Sequence, residues 1–69
     1  MRDQLERLVL EMLDKGVLYD DARREFEKMF IARALQRSQG NVGEAADLLG
    51  LHRNTVTRKV AEYRLKRLS

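Results

Sequence analysis

Proline is absent from this 69-residue chain, and its four glycines stand at 16, 40, 43 and 50. Proline and glycine are the residues that most sharply interrupt helices, so long stretches carry nothing to stop one. Leu, Ala, Glu, Arg and Lys, which favour helix, dominate those stretches. The sequence therefore predicts an all-α fold: four helices in a single domain over residues 1–69, broken near Gly16, Gly40 and Gly50.

Apolar spacing places the helices. Leu5, Leu8, Val9, Met12 and Leu13 recur at i, i+3, i+4, i+7 and i+8, one stripe on a helix from about Arg2 to Lys15. Gly16 suits a left-handed cap at its end. Val17, Leu18 and Tyr19 form an apolar connector expected to tuck under the next helix. That helix is predicted from an N-cap at Asp20 or Asp21 to about Gln39, with Gly40 ending it. Its apolar residues Ala22, Phe26, Met29, Phe30, Ile31, Ala34 and Leu35 occupy more than one face, so it needs more than one partner. The Phe26, Met29 and Phe30 cluster reads as core. Asn41 then caps a third helix, about Val42 to Leu49, with Glu44 completing a variant capping box. Gly50 turns the chain, and a fourth helix begins near His52 or Arg53 with Val56, Val60 and Tyr63 on one side.

A chain this short buries only about 60% of its unfolded surface and is marginal on its own. It has no cysteine, so no disulfide, and its single histidine excludes a structural zinc site within one chain. Association is the remaining staple, and a second subunit would cover the surplus apolar face of the second helix. The N-terminal MRDQLERL mixes charges instead of leading into an apolar run, and no stretch nears the ~20 apolar residues that cross a bilayer. No membrane role is expected; the reading is a soluble, cytoplasmic protein.

Charge is unevenly placed. Residues 1–49 hold eight basic and ten acidic side chains; residues 50–69 hold six basic (Arg53, Arg58, Lys59, Arg64, Lys66, Arg67) and one acidic, Glu62. A basic end on a near-neutral body suggests a localised polyanion surface. The same region satisfies the steric demands of a helix-turn-helix. Ala45 and Ala46 allow close crossing, Gly50 permits the turn, Leu51 is expected to plug the corner, and Val56 and Val60 anchor the second helix. The outward side of that helix carries Asn54, Arg58, Ala61 and Glu62, flanked by Thr57, with Arg53 in the first turn where a major groove is entered most deeply. Arg pairs bidentately with guanine and Asn with adenine. Thr55 and Thr57 can bond phosphate or contact a thymine methyl, and Arg58, Lys59 and the N–H groups at both helix starts suit phosphates.

The pattern from Gly40 to Tyr63, QGNVGEAADLLGLHRNTVTRKVAEY from Gln39, resembles the Fis-type helix-turn-helix of the nucleoid protein Fis and of NtrC-class activators. The likeness to Fis extends upstream through MRDQLERLVLEML and LYDD. It implies a homodimer in which the two N-terminal helices of each subunit, residues 1–39, interlock into a four-helix core. Leu5, Leu8, Val9, Met12, Phe26, Met29 and Phe30 are then the dimerisation residues. Residues 41–66 form the helix-turn-helix, and closely spaced recognition helices require bent double-stranded DNA. By position, Arg53 resembles the family's base-reading arginine, Asn41, Thr55 and Arg58 match phosphate contacts, and His52 stands at a recognition-helix position that is polar in Fis.

Five departures qualify the resemblance. Only Met1 precedes the first helix, where Fis has an arm used in recombination, so recombination enhancement is not expected. Gly43 and Glu44 replace a polar-basic pair, and Ala61 and Glu62 replace lysines, which points to weaker DNA affinity. Arg64 fills a position often held by glycine, which lets the last helix run past it. The ATPase domain that precedes this unit in the activators has no counterpart in the sequence.

Nothing suggests an enzyme: there is no nucleophile–base pair, no paired carboxylates against an apolar wall and no phosphate-cradling glycine loop. No cofactor, metal or small-molecule substrate is expected. The rival reading is a helical protein-interaction module whose basic C-terminal surface meets an acidic partner.

Overall fold

The computed structural model of the chain describes residues 1–65. The last residue assigned to the helix-turn-helix, Lys66, and the basic Arg67 lie outside the described residues. Four helices follow one another: α1 (Arg2–Asp14), α2 (Tyr19–Arg37), α3 (Val42–Leu49) and α4 (Arg53–Glu62), with no strand among the described residues.

The helix starts differ in chemistry. Asn41 caps α3, its side-chain oxygen accepting from the Glu44 N–H at 3.0 Å, half of the expected capping box. At α2 the expected aspartate cap is absent. The helix begins at Tyr19 behind Leu18, which supplies no side-chain bond. Asp20 and Asp21 fall instead in the first turn, where their charge meets the positive end of the helix dipole.

All four helices stop in the same way. The N–H groups of Val17, Gly40, Leu51 and Leu65 each reach back to a carbonyl five residues earlier, at 2.9–3.0 Å, and the preceding residue bonds three back. This motif needs a left-handed residue at its pivot. Gly16 and Gly50 fill it after α1 and α3, with φ of 74° and 69°. After α2 and α4 the pivots are Gln39 and Arg64, with φ of 54° and 53°. Two expectations therefore change. Gly40 follows the pivot of α2 instead of forming it, and α4 does not run past Arg64, which takes the left-handed conformation itself. A non-glycine residue there costs on the order of 1 kcal/mol. What offsets it at Arg64 is Leu65, which the turn delivers onto the core.

That core joins three helices. Ile31, Ala34 and Leu35 of α2 meet Ala45 and Ala46 of α3 and Val56 and Val60 of α4, with Val42, Leu49 and Leu65 at its margin. The alanines at the crossing allow α3 to lie close to both neighbours. Leu51 does not plug the corner as expected. It remains 43% exposed.

Helix α1 buries no residue and packs little against the rest. Its stripe of Leu5, Leu8 and Met12 instead borders an open apolar groove of 490 Å³, whose other walls include Phe26, Met29 and Phe30 of α2 and Leu48 and Leu49 of α3. Phe26 and Phe30, read as core, are 56% and 52% exposed and stack edge-to-face at 5.3 Å. Nor do Val17, Leu18 and Tyr19 tuck under α2; all three are exposed. No described helix is long and apolar enough to cross a membrane.

The Asn41 cap is the one side-chain bond holding the start of α3. Asn41→Ala should lower stability by about 1 kcal/mol, read as a fall in the thermal midpoint by circular dichroism. An unchanged midpoint would show the cap to be idle.

Candidate nucleic-acid interface

Helix α4 turns two different sides to its surroundings. Val56 and Val60 are buried against the core, with Thr55, Lys59 and Tyr63 half-buried beside them. Arg53, Asn54, Thr57, Arg58 and Ala61 are exposed. Their offsets of 1, 4, 5 and 8 from Arg53 place them on one continuous face. Among the described residues no carboxylate pairs with Arg53 or Arg58. Both guanidinium groups keep their full set of donors for an outside acceptor.

The start of α4 is held by its neighbour. His52 is the N-cap, and its Nδ1 accepts from the Asn54 N–H at 3.0 Å. That bond leaves the far edge of the imidazole exposed. Asn41 is similarly divided: its oxygen caps α3 while its amide N–H₂ stays available as a donor. The Thr57 hydroxyl donates to the Arg53 carbonyl at 3.1 Å, so its hydrogen is already committed within the helix.

Lys59 departs from the expected role. The sequence suits it to phosphate, but its side chain is 21% exposed and turned toward α2, with Nζ 3.0 Å from Glu27 Oε1 and 3.8 Å from Glu62. The cause is helical phase: Lys59 neighbours Val60, on the edge of the inward stripe. Tyr63 joins the same cluster. Its hydroxyl donates to Glu27 Oε1, its ring lies 6.0 Å beneath the Lys59 ammonium, and Arg23 reaches the other Glu27 oxygen at 4.0 Å. The bond from Tyr63 and the Lys59 ammonium hold the Glu27 carboxyl below its ordinary value of 4.5. The Glu27 carboxylate in turn raises Tyr63 above 10.0. Arg23 is raised chiefly by its bond to Asp20. Sequence reasoning passed over Glu27 and took Tyr63 only as an apolar anchor. The available signal was spacing, since Glu27, Ile31 and Leu35 recur every four residues, putting a carboxylate in line with two core residues.

Of the residues assigned from sequence, then, Arg53, Asn54, Thr57 and Arg58 share one exposed face. His52 and Asn41 stand at the two helix starts, Thr55 is half-buried, and Lys59 is engaged internally. A three-helix core presenting an exposed Arg- and Asn-bearing helix after a glycine turn defines a helix-turn-helix domain.

Comparison with known proteins agrees. Residues 22–63 match the model of the family described as "Bacterial regulatory protein, Fis family". The chain belongs to the Fis family, a family of DNA-binding regulators. It is similar to the DNA-binding transcriptional regulator NtrC of Rhizobium meliloti (strain 1021), 49% identical over 52 residues, covering 75% of this chain and 11% of that protein. It is also similar to a protein of Xylella fastidiosa (strain Temecula1 / ATCC 700964) named "Putative Fis-like DNA-binding protein", 39% identical over 56 residues, 81% of this chain and 62% of the other. NtrC of Escherichia coli (strain K12) is 47% identical over 45 residues, 65% of this chain and 10% of that protein. The chain thus spans only about a tenth of the NtrC proteins and under two thirds of the Fis-like one. No solved structure matches significantly.

The shifts at Glu27 and Tyr63 have opposite signs, which frames a pH window. A carboxyl lowered on folding contributes fully above 4.5, and the contribution is lost as pH falls through the lowered value. A raised tyrosine contributes fully below 10.0 and loses it as pH rises beyond. Wild type and Glu27→Gln should therefore differ most in thermal midpoint near neutrality and converge as pH falls well below 4.5. A gap that stays constant on acidification would contradict the ion pair.

Proposed function

We propose that this domain binds double-stranded DNA as a homodimer, with α4 in the major groove, and regulates transcription or organises the nucleoid in the cytoplasm. The observation that carries this reading is the exposed face of α4, where Arg53 and Arg58 have no acidic partner among the described residues. Arg53, in the first turn, is the base reader, with Asn54 beside it. Arg58, Asn41 and the helix-start N–H groups bind phosphate. Thr55, Thr57 and His52 make flanking contacts. No cofactor or small-molecule substrate takes part.

Dimerisation rests on the apolar surface that one copy leaves open. Leu5, Leu8 and Val9 of α1 and Phe26, Met29 and Phe30 of α2 are all exposed, and α1 has little to pack against within the protomer. Contiguous apolar patches of this kind mark interfaces. Two recognition helices carried on one small core are close together, so a duplex must bend to reach both.

Binding should weaken linearly with log salt, by about 0.9 per phosphate neutralised. Arg58→Met, which removes one phosphate contact from each subunit, should reduce that slope by about 2, and Arg53→Ala should cost roughly 1–3 kcal/mol of sequence discrimination. Lys59→Met, by contrast, should leave the slope unchanged. Fluorescence anisotropy on selected and scrambled duplexes measures all three; a salt-independent affinity would refute DNA binding, and binding of an acidic protein without DNA competition would favour an interaction module.

Because Phe26 and Phe30 are half-exposed in one copy, a charge there costs little unless the faces are joined. Sedimentation should show a dimer for wild type at micromolar concentration and a folded monomer for Phe30→Glu. A wild-type monomer would remove the four-helix core.

A further inference from the structure

We propose that Glu27 is a positioning residue: by holding Tyr63 and Lys59 it sets the tilt of α4 on α2, and so the separation of the two recognition helices in the dimer. This rests on the paired, DNA-reading dimer proposed above.

The argument begins with how α4 is attached. Its buried side chains are Val56 and Val60, one turn apart on a single line. Two short anchors only about 6 Å apart along the axis resist tilting of the helix weakly. Toward the end of the helix Leu65 rests on the margin of the core, and the polar attachment is made by Tyr63 and Lys59, which both meet the Glu27 carboxylate. Hydrogen bonds to a charged group are directional and tolerate less sliding than an apolar contact. Glu27 also sits where leucine would stabilise more simply, since it continues the core-facing row of Ile31 and Leu35. A partly buried ion pair is weak as a source of stability, and its best attested use is in fixing geometry.

Location gives that geometry a consequence. Glu27 is flanked in sequence by Phe26 and Lys28, and Phe26, about 100° around the helix, opens onto the groove. The carboxylate that holds α4 therefore stands on the same helical turn as the surface that joins the subunits. A ten-residue helix is about 15 Å long, so a tilt of about 10° moves its end by about 2.6 Å. Symmetry doubles the change between two such helices to about 5 Å, more than the ~3.4 Å rise of one base pair.

The test uses the full chain and duplexes carrying two copies of the half-site that wild type selects, with their separation varied one base pair at a time. Wild type should show a sharp optimum. In Glu27→Gln and Tyr63→Phe the preference for the best spacing over its neighbours should fall by about fivefold or more, the lower edge of coupling between sites. The one-half-site affinity of Tyr63→Phe, which leaves Lys59 paired with Glu27, and the sedimenting dimer of both variants should stay as in wild type. Tyr63→Phe keeps the ring and its packing, so it reports even if Glu27→Gln folds poorly. Spacing profiles that superimpose on wild type would overturn the proposal. So would one-site and two-site affinities that fall together, which marks loss of stability and not of positioning. A wild type that binds DNA with no spacing optimum would refute the paired reading itself, and this proposal with it.

Discussion

Helix α2 has to serve two apolar assemblies at once. Ile31, Ala34 and Leu35 are buried under α3 and α4, while Phe26, Met29 and Phe30 face outward into the groove beside α1. A helix of 19 residues is long enough to separate these tasks along its length as well as around it. Ile31, Ala34 and Leu35 on one side organise the reading unit, while Phe26, Met29 and Phe30 on another side present the open surface. Hydrophobic burial is non-directional, so neither side alone determines how α4 stands relative to that open surface. What relates them is the rigidity of α2 and the polar cluster at Glu27.

The same division decides what could be read from the chain. Helix number and the α3–α4 turn were legible because they depend on local chemistry: Gly16 and Gly50 as left-handed pivots, Asn41 as a cap, and a strict apolar stripe in α1. The ends of α2 and α4 were not, because Gln39 and Arg64 accept a conformation that local rules reserve for glycine. Tertiary packing of Leu65 outweighs the local cost at Arg64, and no local signal announces it. Leu51 and the Val17–Tyr19 connector misled for the complementary reason. Apolar residues near a turn suggest burial, but one protomer offers them nothing to be buried against.

At the candidate interface, residue type alone was a poor guide to role. Arg53, Arg58 and Lys59 read alike as cations on a basic helix. Helical phase separates them, leaving the two arginines on the exposed face and turning Lys59 to the edge of the core, where Glu27 takes it. The partner lies 32 positions earlier in the chain, so the pairing depends on a fold that had to be known first.

Withdrawing Lys59 changes what kind of reader the surface can be. Non-specific affinity grows with the number of phosphates neutralised, whereas discrimination comes from contacts to base edges. Glu62 and Ala61 add no positive charge to the recognition helix, and Glu27 removes one. On the DNA-binding reading, such a surface gives up part of the sequence-independent attraction but keeps the arginine and asparagine that can tell bases apart. Its selectivity then depends on presenting two such helices at a definite separation, since each alone grips weakly. A carboxylate that costs one phosphate contact while steadying the helix that carries Arg53 fits that requirement better than a lysine left free.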